Sequence, residues 1–149
     1  TISMPSLHIV QEDVELHHLP LCSSVSLPRL SEIAEDLEIY TLVALTAVVL
    51  PALEHVREDC FLGNMPAVSG LSMPQLTQVA GSFWLFNMPN LLTLDFTNLA
   101  QVGGIRVQEV SRPSSRSKCY YGLGNCEDEE IISEDALYIT NNTRLEHVW

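Results

Sequence analysis

Lysine is almost missing from this chain. Lys118 is the only one in 149 residues, and the net charge is −12. So acidic a surface repels nucleic acid and anionic lipid headgroups, and neither is an expected partner. Long apolar runs are missing too. A bilayer span needs roughly 18–20 apolar residues, and the nearest candidate, YTLVALTAVVLPAL, is interrupted by Pro51. No basic start leads into an apolar stretch, so no export signal is read. Neither G-x-S-x-G, nor H-E-x-x-H, nor a glycine-rich phosphate loop occurs. What remains is a chain 46% hydrophobic and only 17% charged, which is globular and long enough for one domain, residues 1–149.

One phrase returns at a fixed interval. EDVEL at Glu12 becomes EDLEI at Glu35 and EDCFL at Glu58, in steps of 23 residues. Written in blocks of that length, beginning at Met4, Leu27, Leu50, Met73 and Phe96, the chain falls into columns. The second column reads Pro5, Pro28, Pro51, Pro74, and the seventeenth Pro20, Val43, Pro66, Pro89; these two hold seven of the eight prolines. Columns four, seven, eleven, thirteen, nineteen and twenty-two are apolar. The apolar pairs are too closely spaced for a helix in each block, while columns eleven to thirteen alternate with the period of a strand.

The expected fold is therefore all-β: a right-handed parallel β-solenoid with 23-residue turns, three short strands per turn and about six turns. Prolines mark its corners, where a missing N–H costs nothing. The fifth block slips by one residue at GGIRV. From Ser111 to Asp135 a Ser-, Pro- and charge-rich stretch is read as a loop inserted between the fifth and sixth turns. Leu137, Ile139, Leu145 and Val148 then resume the register. Neither end carries a polar cap, so the chain reads as a slice of a longer solenoid, or as one whose open ends stack on another copy.

LPRLSEIAEDLEIYTLVALTAV, LPALEHVREDCFL and LYITNNTRLEHV resemble the repeats of the receptor L-domain-like family. The resemblance covers nearly the whole chain outside the Ser111–Asp135 stretch. It implies a secreted, cell-surface or cell-wall protein, with no catalytic residues and no cofactor. The family includes ligand-binding domains of growth-factor receptors and GPI-anchored fungal wall proteins. Two departures stand out: Arg57-Glu58 and Ala34-Glu35 replace the usual Gly-Gly, and no anchor signal is present, so membrane anchoring would need a segment outside this chain.

Several columns carry candidate sites. Asp13, Asp36 and Asp59 stack beside Glu12, Glu35 and Glu58. Two readings stand: a calcium ladder, or carboxylates that each accept a backbone N–H at an Asx-type corner, the glutamates being solvated. Column twelve reads Glu15, Glu38, Phe61, Trp84, Arg106, Tyr138, and column fourteen His17, Tyr40, Gly63, Phe86. On the outward face these gather Tyr40, Phe61, Trp84, Phe86 and Tyr138 into an aromatic patch. Such a patch fits a protein or cell-wall glycan partner, or cover by the inserted loop. Asn64, Asn87 and Asn141 share column fifteen, as a side-chain ladder, although Asn141 also begins the one glycosylation sequon, NNT. Cys119 and Cys126 are read as a short-loop disulfide, and Cys22 and Cys60, in different columns, as buried small apolar residues. Arg106, Arg112, Arg116 and Lys118 read as a solvated loop or an anion site. The five histidines fall in five columns without metal or triad spacing.

Overall fold

A computed structural model of the protein describes residues 1–108 and 147–148, with side chains through residue 103. The Ser111–Asp135 stretch, the Cys119–Cys126 pair, Tyr138 and Asn141 lie outside the described residues.

The described residues form strands and turns and no helix. In chain order the strands are β1 (Ile2–Ser3), β2 (Ile9–Val10), β3 (Val14–His17), β4 (Val25–Ser26), β5 (Glu32–Ile33), β6 (Leu37–Tyr40) and β7 (Ala47–Val49). They continue as β8 (His55–Val56), β9 (Cys60–Gly63), β10 (Gly70–Ser72), β11 (Gln78–Phe86), β12 (Thr93–Asp95), β13 (Gln101–Gln108) and β14 (His147–Val148). Each pairs in parallel with a strand from another coil. The largest sheet runs β2-β5-β8-β11-β9-β6-β3, with β13 beside β11. The chain thus winds in stacked coils of about 23 residues, a β-solenoid of about four turns, as in the register Val14↔Leu37↔Cys60↔Phe83.

The corners follow from proline chemistry. Leu30 N–H donates to Leu27 O, Leu53 to Leu50 and Leu76 to Met73, each closing a turn with proline second. The same holds for Val68 to Met65 and Leu91 to Met88, around Pro66 and Pro89. Proline at that place presets φ and gives up no ladder donor. Both proline columns are therefore turn columns.

The apolar columns point inward. Leu30, Leu53 and Leu76 from column four, Ile33, Val56 and Val79 from column seven, and Leu37, Ile39, Cys60 and Leu62 from the strands are all 0% exposed. Between stacked coils they form one continuous core. No side chain buried among the described residues is polar or charged.

The slip in the fifth block is visible as a bulge. Val79 pairs with Val102, but Ser82 pairs with Gly104, so the register shifts by one between them. A side chain on Gly103 would run into Ala80 O, and one on Gly81 into the Asp59 carboxylate, which explains why this crossing is glycine-rich. His147 and Val148 occupy the columns the sequence assigns them, but they pair directly with Thr93 and Leu94. That is one rung earlier than a sixth turn would place them. The sixth turn expected from the sequence is not among the described residues.

Candidate functional site

The outer face of β3, β6, β9 and β11 carries columns twelve and fourteen. The pairing Glu15↔Glu38↔Phe61↔Trp84 forms one row, and His17↔Tyr40↔Gly63↔Phe86 the next. Residues two apart on a strand share a face, so both rows stand opposite the buried Leu37, Ile39, Cys60 and Leu62.

The rings meet in a continuous run. His17 stacks on Tyr40 with centroids 5.0 Å apart and planes 14° apart. Tyr40 meets Phe61 edge to face at 6.1 Å. Phe61 reaches Trp84 at 5.7 Å and Phe86 at 4.8 Å. The structure therefore brings together four of the five aromatic residues singled out by sequence, and adds His17 and His18 at the acidic end.

Tyr40, Phe61 and Trp84 are half-buried. Phe86 departs from the expectation of an outward contact residue: it is only 3% exposed. Its neighbour on the next rung is Gly63, which has no side chain, and the Phe86 ring fills that gap. It stays outside the interior core yet buries its surface against Phe61. Phe86 supports the patch from beneath rather than presenting it.

Glu15 and Glu38 sit side by side at the other end of the face. Burial, then Glu15 and Asp36, raise the Glu38 carboxyl above its ordinary range, while His17 pulls it down. His17 Nε2 lies 3.4 Å from a Glu15 oxygen. Burial, then Glu38 and Glu15, also raise the Tyr40 hydroxyl.

The aspartate column does something different from a local Asx turn. Asp36 N–H donates to the Asp13 carboxylate at 2.9 Å, Asp59 N–H to Asp36 at 2.7 Å, and Ser82 N–H to Asp59 at 2.6 Å. Each carboxylate thus bonds the next coil rather than its own corner. The acceptor role is as expected; the partner is not, because the stacked backbone brings a free N–H within reach at every rung. Among the described residues no group of three or more His, Cys, Asp or Glu side chains is arranged to hold a metal ion, Asp13, Asp36 and Asp59 included.

Column fifteen is a left-handed corner. His18, Thr41, Asn64 and Asn87 all have φ between 48° and 58°. Asn87 Nδ2 donates to Asn64 Oδ1 at 2.7 Å. Sequence showed the asparagines, which tolerate this conformation, but not that His18 and Thr41 share it. Cys22 and Cys60 are both free and buried. Burial, then Asp59 and Asp36, push the Cys60 thiol far above its ordinary range, so it is inert.

No family model, curated protein or solved structure matches the chain.

Proposed function

We propose that the chain is a non-enzymatic binding module of receptor L-domain type, a right-handed solenoid with three short strands per turn, working at a cell surface or in a cell wall. Its outer sheet face recognises a protein or glycan partner. The single observation that supports this reading is the unbroken run of half-buried rings from His17 through Tyr40 and Phe61 to Trp84 on one regular face. A contiguous patch of that kind, rather than scattered apolar residues, marks an interface. Rigid strands hold the rings in place, so little ordering cost opposes binding.

Phe61→Ala and Trp84→Ala test it against panels of wall polysaccharides and extracellular proteins. A contact residue should lose about 2 kcal/mol or more of binding while the denaturation midpoint stays nearly fixed. A ring whose job is to be covered should instead cost about 3–5 kcal/mol of stability and leave binding alone. A mass that grows with concentration, unaffected by either change, would favour assembly through the coil ends.

A further inference from the structure

The acidic end of the face has a feature that stacking does not require. In the aspartate column each carboxylate accepts an N–H from the next coil, so its charge serves the fold. Among the described residues the Glu38 carboxylate makes no hydrogen bond and no ion pair. It stands one rung, about 4.8 Å, from Glu15, with both side chains on the same outward face. Two like charges at that spacing are held next to Tyr40 and Phe61 rather than dispersed.

We propose that this part of the face docks an extended basic peptide segment of a partner protein, with arginine or lysine stems lying on Tyr40 and Phe61 and their charged ends between Glu15 and Glu38. The inference rests on reading the outer face as a binding surface, and it narrows the ligand.

Three observations carry it. First, the charge is complementary: two carboxylates on adjacent rungs form a focus for a cation, and the neighbouring ring faces add cation–π attraction. Second, His17 already sits as a guanidinium would. It is a planar nitrogen ring stacked on Tyr40 at 14° with one nitrogen 3.4 Å from Glu15. Glu38 in turn faces Phe61 across one rung, so an arginine lying over the Phe61 ring would reach its carboxylate. Third, the rings are turned against one another, at 83° for Tyr40–Phe61 and 43° for Phe61–Trp84. That leaves no flat shelf for successive sugar rings, whereas long side chains can lie between tilted rings one at a time.

The test uses the whole 149-residue chain and a fluorescent peptide of alternating arginine and serine, followed by anisotropy at about physiological salt, where distant charges are screened. Glu15→Gln with Glu38→Gln should weaken binding about tenfold or more, and Phe61→Ala should weaken it similarly. Glu35→Gln with Glu58→Gln removes the same charge from the corner column and should change it less than about twofold. Equal losses from both glutamate pairs would mean attraction to net charge alone and would overturn the proposal. So would an absence of peptide binding. If a wall oligosaccharide then binds and Trp84→Ala abolishes that, the face remains a binding surface and only the basic-peptide assignment fails.

Discussion

The side-chain amide of Asn87 donates to Oδ1 of Asn64 at 2.7 Å, and both residues hold a left-handed backbone, φ 48° and 49°. One coil corner is thus kept by a conformation and a ladder that asparagine satisfies together. Thr41 occupies the same corner one rung earlier at φ 58°, where a β-branched side chain is strained. Thr41→Asn should relieve that strain and extend the ladder to Asn64. A gain of about 1 kcal/mol is expected, read as a higher urea midpoint with unchanged slope. A lower midpoint would count against the shared corner.

The aspartate ladder makes two demands that separate by substitution. Its oxygens are needed as acceptors, while its charges repel. Asp36→Ala removes the acceptor for Asp59 N–H and should cost about 1 kcal/mol or more. Asp36→Asn keeps an acceptor oxygen and drops the charge, so it should be neutral or stabilising. Equal destabilisation by both would show that the charge itself is required, as a calcium ladder would demand.

Acidity should stabilise this protein before it harms it. Glu35 is raised chiefly by Asp13, and Asp36 and Glu38 chiefly by burial, above ordinary values of 4.5, 3.8 and 4.5. The folded state therefore takes up these protons more readily than the unfolded chain. The resulting stability is full below those ordinary values and is lost as pH rises through the raised ones. Melting temperature should climb as pH falls from about 7 to about 5. Asp95 works the other way: hydroxyl donors Thr97 and Ser72 hold it below 3.8, so its contribution is lost at still lower pH. Added salt at neutral pH should mimic part of the gain by screening the stacked carboxylates. A flat profile from about pH 7 to 5 would contradict this account of the acidic columns.

Gly63 and Phe86 make a pair across one rung. A methyl at Gly63 would meet the Phe86 ring. Gly63→Ala should displace the ring and cost about 1–3 kcal/mol, with a change in the near-ultraviolet dichroism of the aromatic cluster. An unchanged midpoint and spectrum would mean that Phe86 does not fill the space over Gly63.

The coil was legible because it is periodic. Leu30, Leu53 and Leu76 recur at a fixed interval for one reason, the inward face of a coil, and Pro28, Pro51 and Pro74 for another, the second place of a turn. The slip at Gly103 was legible for the same reason: the columns stop matching there. Features set by a neighbouring rung were not. The burial of Phe86 depends on Gly63, and the Asp36 carboxylate looks outward to Asp59 rather than to its own corner. Residue type gave no hint that Thr41 turns left-handed, since a β-branched side chain is ordinarily poor at it. At the candidate site the outward columns could be read from strand alternation, but not how far each ring would be covered, which depends on its neighbours.

Columns eleven and twelve face opposite sides of the outer sheet, and the binding face depends on it. Cysteines at positions 15 and 38, Glu15→Cys with Glu38→Cys, are to be mapped peptide by peptide after exposure to a bulky thiol reagent and after mild oxidation. In-register neighbours on adjacent strands lie about 4.8 Å apart, within bridging range. The introduced pair should therefore label rapidly when reduced and close into a disulfide when oxidised, while Cys60, buried in the next column, stays unmodified until the chain is unfolded. Rapid labelling of Cys60 in the folded protein, with an unreactive pair at 15 and 38, would place the aromatic face inside the coil and contradict the account.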